Sequence, residues 1–267
     1  MESAARQAGN AANKPSRLAA VWKHMKRDRQ LLILFIPCLA FYLIFRYGPL
    51  YGLLIAFKDY SVFQGIWDSP WVGFKHFEKF FGGNDFALLF RNTLLLGSLN
   101  LICSFPFPIL LALMLNEVRL KWFKKSVQTF SYLPAFLSVV IICSMVIDFL
   151  SPTHGIVNKI IEAFGFEPIY FLGEKAWFRP VYIISDIWTN MGYESIIYLA
   201  AIAGIDPTLY EAARVDGANR YHMMRHITFP GIMGTVIVMF ILKTGNMLRI
   251  GYEKVLLLYS PMTYEVA

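Results

Sequence analysis

Five long apolar stretches constrain the fold of this 267-residue chain more than any other feature. A hydrophobic run of roughly 18 to 25 residues is long enough to cross a bilayer as a helix. Apolar residues make up 57% of the chain and charged residues only 16%, which leaves little polar material for a large water-facing domain. The sequence therefore predicts an all-α polytopic membrane helix bundle. Its five visible spans are expected at about residues 31–57, 92–115, 127–150, 181–204 and 230–247.

Lys and Arg residues close to the spans predict the orientation of the chain. Residues 1–30 contain seven of them, and the short connection 116–126 contains four. Because short basic loops stay in the cytoplasm, both segments are expected there. The alternation of spans then places loop 205–229 in the cytoplasm as well. The predicted organisation is a cytoplasmic N-terminal tail, 1–30, followed by a transmembrane domain, 31–267.

Several other kinds of function are excluded or weakly supported. The net charge of +7 comes from basic residues beside the spans, as contact with anionic lipid requires, so nucleic-acid binding is not expected. The phosphate-binding pattern G-x-x-x-x-G-K-[ST] is absent. His222 and His226 are four residues apart, but Met223 breaks the zinc-protease pattern, so no metal site is predicted. No catalytic group of side chains is recognisable. The three cysteines are expected to be core residues: Cys38, Cys103 and Cys143.

Loop 205–229 has the pattern of two short helices joined by a sharp turn. Asp206-Pro207 is a typical helix start, because the carboxylate can cap free amides and proline suits the first helical position. Small and apolar residues follow on one helical face, and Gly217 permits a turn into a second helix at about 220–226. Pro230 opens the fifth span. Periodicity alone leaves a solvated connecting loop equally open.

The order E-A-A-x3-G-x9-I-x-[Leu/Phe]-P, from Glu211 to Pro230, resembles the EAA loop of permease subunits in binding-protein-dependent ABC importers. Phe229 stands where that family usually has leucine. The resemblance implies a coupling helix that sits in a cleft of a partner ATPase and transmits its closure. It implies these coupling residues: Glu211, Ala212, Ala213, Asp216, Gly217, Ile227 and Pro230.

The resemblance continues through segments 47–52, 56–60, 73–77, 91–93 and 251–259. These are similar to carbohydrate-uptake permeases of the lipoprotein-linked and aldouronate oligosaccharide branch. That branch implies the type I ABC importer permease fold, in a bacterial cytoplasmic (inner) membrane. It also implies a heterodimer with a second homologous permease, two ATP-binding subunits that bind ATP and Mg²⁺, and an extracellular or periplasmic solute-binding protein. This chain would hold no cofactor and would not be an enzyme, and a sixth span is expected beyond its C-terminus.

Polar and aromatic residues inside the spans are candidates for a sugar path, because polar groups at membrane depth usually face a bundle interior or water. They could equally bond neighbouring helices. An ion-coupled secondary transporter, using the lone acids as coupling sites, is an alternative function. A membrane-embedded enzyme is a third. The candidate path residues are Asn100, Asp148, Asp186, Trp188, Asn190, Tyr193 and Glu194.

Overall fold

A computed structural model describes residues 27–249 and 251–266, so the predicted tail lies almost wholly outside the described residues. The described chain is helical, and its β-type pairing is an isolated bridge between Lys58 and Trp71. It divides into two compact units, residues 1–83 and 84–267. The all-α prediction agrees with this architecture.

The first unit is built around one long apolar helical segment. Helix α1, Arg29–Tyr42, continues as a π-helical turn, Leu43–Tyr47, and a 3-10 segment, Gly48–Phe57. The most apolar 18 residues of this stretch have a mean hydropathy of 2.0. The short helices α2, Gly65–Asp68, and α3, Lys75–Phe81, follow. The ring of Phe57 stacks on that of Trp71, with their centroids 5.6 Å apart, and this contact holds the loop after the long segment.

The second unit begins with helices α4, Asn84–Ser104, and α5, Pro106–Glu117. Together they form a 33-residue apolar stretch from Asp85 to Glu117, longer than the predicted span 92–115. Proline stands at the start of α5, where its missing N–H does least damage.

The predicted span 127–150 is broken rather than continuous. Helix α6, Lys121–Tyr132, runs through a 3-10 turn, Leu133–Phe136, and is bent by 108° from α7, Val139–Leu150. Two local features explain the break. Pro134 tightens the chain into the 3-10 turn, and the Oγ of Ser138 accepts a hydrogen bond from the N–H of Ile141, which starts a new helix.

Helix α9, Lys175–Ala203, is the centre of the second unit and follows the short helix α8, Ile156–Ala163. It packs against α4, α5 and α6. A Cβ at Gly192 would overlap the carbonyl oxygen of Ser131, so α9 and α6 can approach this closely only with glycine there. One core cluster surrounds Phe178 and Tyr182 on α9, and a second surrounds Tyr198 and Ile202.

The chain then forms α10, Pro207–Val215, and α11, Arg220–Met223, followed by a π-helical turn, Met224–Thr228. Helices α12, Phe229–Gly231, α13, Met233–Gly245, and α14, Tyr252–Leu258, complete the described chain. By length and composition, two helices in the described part could cross a membrane, or up to five if each bent pair is one span. The count of five spans therefore stays a prediction.

The cysteine prediction was right for one residue and wrong for two. Cys143 is buried in the core around Phe178, whereas Cys38 and Cys103 are exposed. Small apolar side chains on the outside of a helix are not penalised in lipid, so position within an apolar run does not predict burial.

Candidate coupling loop and polar cavity

The first helix of loop 205–229 begins where the sequence predicts. The Oδ1 atom of Asp206 accepts a hydrogen bond from the N–H of Thr208 at 2.9 Å, and Pro207 is the first helical residue. The hydrogen bond from the Thr208 backbone holds the pKa of the Asp206 carboxyl below its usual value. The axis of α10 is turned by 68° from that of α9, so the cap fixes an elbow between them.

The turn after α10 depends on Gly217, whose φ angle is +78°. The N–H of Ala218 donates to the carbonyl of Ala213 at 2.9 Å, which is a Schellman end with Gly217 in the left-handed position. Asn219 then caps α11, accepting a hydrogen bond from the N–H of His222 at 2.8 Å. The predicted turn and second helix are therefore present, although that helix changes to π-helical geometry after Met223.

A side-chain hydrogen bond links α10 to the π-helical turn Met224–Thr228. The hydroxyls of Tyr210 and Thr228 lie 3.0 Å apart, and Thr228 is buried. Sequence reasoning missed both residues, because the bond joins positions 18 residues apart without a recognisable spacing. The bond joins α10 to the end of this turn, and α12 and a bend of 56° separate the turn from α13.

The predicted coupling residues differ in how exposed they are. Glu211, Ala212 and Asp216 are exposed, and the exposed side chains of Leu209 and Val215 extend the apolar part of this surface. Ala213 and Ile227 are half-buried, whereas Pro230 is exposed in the short helix α12. We call the exposed group, Leu209, Glu211, Ala212, Val215 and Asp216, the docking face.

Three of the seven predicted path residues, Asn100, Asp186 and Glu194, line a polar cavity of about 370 Å³ between α4, α9 and α13, and Asn190 bonds to one of them. Asp186 accepts hydrogen bonds from the Nδ2 atom of Asn100 at 3.1 Å and from that of Asn190 at 3.0 Å. Glu194 also lines the cavity. Residues 186, 190 and 194 lie four apart on α9, so they share one helical face.

Two lysines that the sequence did not single out complete this polar cluster. The Nζ atom of Lys243 donates to Oε2 of Glu194 at 2.6 Å. The Nζ atom of Lys254 lies 3.6 Å from Oδ1 of Asp186 and donates to the carbonyl of Tyr182 at 3.0 Å. Lys243 could have been recognised as a charge at the end of the last apolar run. Nothing in the sequence marks Lys254 as the partner of Asp186.

The other three predicted path residues lie away from the polar cavity. Trp188 lines a separate apolar groove between α7, α8 and α9. The ring of Tyr193 is exposed, with its centroid 6.1 Å from that of Phe136. Asp148 is exposed near the end of α7, with Oδ1 3.9 Å from Nε2 of His154. Trp188 is two residues from both 186 and 190, so helical rotation places it on the opposite side of α9. Tyr193 is seven residues after Asp186, a spacing that returns to the same side, so helical rotation alone does not explain its contact with Phe136.

Residues 104–250 match the family of binding-protein-dependent transport system inner membrane components. The chain belongs to this family. The matched region runs from the last residue of α4 to just beyond the end of α13 and contains both the docking face and most of the residues that line the polar cavity. The family fixes the general role: this permease is the membrane subunit of an ABC importer, and the ATPase is a separate subunit. The secondary-transporter alternative is not supported.

Relatives and solved structures agree with the family. The permease is 46% identical to the protein LplB of Bacillus subtilis (strain 168), over 91% of this chain and 76% of that protein. It is 46% identical to the polygalacturonan/rhamnogalacturonan transport system permease protein YteP of the same strain, over 96% of this chain and 83% of that one. A bacterial ABC transporter that imports the acidic polysaccharide alginate contains a chain that matches with a TM-score of 0.84 and 46% identity, over 92% of this chain and 83% of that chain.

Proposed function

We propose that this permease forms half of the path through which a bacterial ATP-driven importer takes up an oligosaccharide delivered by a binding protein. Two relatives support the substrate class, because one is named for polygalacturonan and rhamnogalacturonan and another imports alginate. The alginate transporter has also been solved in complex with a periplasmic protein bound to an alginate pentasaccharide. The observation that supports the proposal most is that one helix, α9, lines the polar cavity along its length and leads into the elbow to α10 at its end.

The proposed partners follow from this role. A second homologous permease would complete the path as a heterodimer, and two ATP-binding subunits would bind ATP and Mg²⁺. The docking face would sit in a cleft of one ATP-binding subunit, because it combines exposed apolar groups with the charges of Glu211 and Asp216. Loop 205–229 and tail 1–30 would then lie in the cytoplasm, in the orientation that the basic segments predict.

Alternating access is the proposed mechanism. Closure of the ATPases would displace α10, and the hydrogen bond between the hydroxyls of Tyr210 and Thr228 would pass that displacement through α12 to α13. Since Lys243 is on α13 and Glu194 is on α9, movement of one helix against the other changes the ion pair at the cavity. ATP binding can shift the conformational equilibrium only through its different affinity for the two states.

The polar cavity would contact the sugar on its way through the membrane. Asn100, Asp186 and Asn190 offer the hydrogen-bonding groups that hydroxyls need, and a uronate carboxylate could accept from Lys243 alongside Glu194. An acidic oligosaccharide therefore suits this cavity, because Lys243 would gain a second acceptor while the substrate passes.

Co-purification tests the proposal most directly. The full-length permease should be purified with its candidate partner subunits, and ATP hydrolysis measured with and without binding protein and oligosaccharide. Replacing Glu211 by Ala should abolish stimulation, whereas replacing the exposed Glu162 on α8 by Ala should not. A correctly inserted permease that retains no ATPase under any condition would overturn the proposal.

A further inference from the structure

A second cavity, of about 570 Å³, lies on the side of α10 that faces the bundle. Its walls come from the end of α5, the connection to α6, α6 itself, the end of α9, and the short helices α10 and α11. It is distinct from the polar cavity, with which it shares none of its lining residues. We call it the basic cavity because of the side chains that line it.

Four cations line the basic cavity: Arg119, Lys124, Arg214 and Arg220. Glu117 is the acid in its lining, and its Oε2 atom lies 3.8 Å from Arg220. Within the described residues, the other three cations form no ion pair. Converging charges of one sign raise the local concentration of counter-ions. The cavity is therefore suited to an anion.

Phosphate is the anion that this arrangement fits best. Three of the four cations are arginines, whose planar guanidinium groups can bind two phosphate oxygens at once. Gln128 and Asn116 add neutral donors to the lining. The volume is far larger than a single phosphate needs, which leaves room for the rest of a headgroup.

The position of the cavity indicates where such a phosphate comes from. It lies at the ends of α5 and α9, where apolar helices give way to polar loops. On α6, the exposed Trp122 and Phe123 stand directly before Lys124. Tryptophan beside basic residues at a helix end is typical of the headgroup region of a bilayer.

We propose that the basic cavity binds the phosphate of an anionic phospholipid and that the bound headgroup strengthens coupling to the ATPase. Arg214 is on α10 and Arg220 is on α11, on either side of Gly217. Arg119 belongs to the connection before α6, and Lys124 belongs to α6. A headgroup that contacts both pairs ties α10 and α11 to the bundle. The inference rests on the proposed function, which places this loop at the cytoplasmic face.

The functional test uses the complete importer in nanodiscs. The measured quantity is the ratio of stimulated ATP hydrolysis in phosphatidylglycerol-containing discs to that in phosphatidylcholine discs. Wild-type protein should give a ratio well above one, and the Arg119→Gln/Lys124→Gln variant a ratio near one. The control is Lys121→Gln/Lys125→Gln, which removes two exposed charges of α6 that do not line the cavity and should keep the wild-type ratio. Equal loss in both variants would mean general surface attraction and would overturn the proposal.

Direct binding separates the possible sources of the phosphate. Native mass spectrometry should show phosphatidylglycerol retained on the wild-type importer, with affinity reduced about 30-fold in the cavity variant, since each basic residue near an anionic surface contributes about a fivefold factor. Thermal unfolding without ATP should respond to phosphatidylglycerol and not to inorganic phosphate. A response to inorganic phosphate alone would overturn the lipid assignment.

Two further outcomes separate this inference from the proposed function. If the cavity variant no longer retains the ATPase while its lipid binding is unchanged, the cations contact the partner subunit and the lipid proposal is wrong. If wild-type permease retains no ATPase but still binds phosphatidylglycerol through the cavity, the proposed function fails and the lipid site stands.

Discussion

The coupling loop and the polar cavity are built in opposite ways. The loop takes its helix caps and turn from neighbours within 25 residues, at Asp206, Gly217 and Asn219, and it is largely exposed. The cavity takes its polar groups from positions between 100 and 254, and its ion pairs join different helices. Local hydrogen bonds give the loop a fixed shape before any partner binds. Long-range ion pairs make the cavity dependent on how the helices are arranged, which is what a moving path requires.

The largest effect is expected where the cavity's charge balance is broken. Lys243→Met leaves Glu194 charged and about three-quarters buried without its partner. Removing one member of a buried pair destabilises proteins by about 3 to 5 kcal/mol. Thermal unfolding of the purified permease should therefore show a much lower midpoint for Lys243→Met than for Lys243→Met combined with Glu194→Leu. If the loss of stability in the double variant equals the sum of the losses in Lys243→Met alone and Glu194→Leu alone, the pair is not coupled. The cavity then resembles a solvated surface.

A smaller loss of stability is expected from the turn of the coupling loop. Gly217→Ala forces a side chain into the left-handed backbone region, which raises the free energy of the folded state by about 1 to 2 kcal/mol. The matched control is Gly245→Ala, at a position with ordinary φ and open space around its Cβ. Stimulated ATP hydrolysis should fall in the first variant and not in the second. Equal activity in both would show that the direction of the chain after α10 does not matter for coupling.

Loss of the hydrogen bond that joins the two ends of the coupling loop should have a still smaller effect on stability. Tyr210→Phe removes the hydroxyl that bonds to Thr228, at about 1 kcal/mol for one hydrogen bond. We expect ATP hydrolysis to continue with fewer substrate molecules transported per ATP, because the loop still docks but transmits its motion less firmly. Tyr221→Phe, which changes an exposed tyrosine of α11, should leave that ratio unchanged. An unchanged ratio in both variants would show that the hydroxyl pair transmits nothing.

The same contrast explains how much could be predicted from sequence. Asp206, Pro207 and Gly217 have local roles that short patterns encode, so the start of α10 and the turn after it were predicted correctly. The partners of Asp186 and Glu194 depend on which helices pack together, and Lys254 is 68 residues away from Asp186 in sequence. The sequence analysis named residues 186, 188, 190, 193 and 194 only as polar or aromatic groups inside the spans, although helical spacing separates Trp188 from the 186–190–194 face. Spacing could not show that Tyr193 packs against Phe136, nor that residues 137–138 interrupt the third predicted span.

The smallest expected effect concerns the cap of the coupling helix, and it has a defined pH dependence. The bond from the Thr208 N–H lowers the pKa of Asp206 in the folded state. A lowered folded pKa means that the cap stabilises the loop above the unfolded value of about 3.9, and that this contribution is lost as the pH falls through the folded pKa. Stimulated ATP hydrolysis should therefore not change between about pH 6 and 8 on account of this group. Asp206→Asn keeps an oxygen that can accept the bond and should retain most activity, whereas Asp206→Ala should lose more. If both substitutions reduce stimulated ATP hydrolysis equally, the carboxylate contacts the ATPase directly. The loop would then depend on partners distant in sequence, as the polar cavity does.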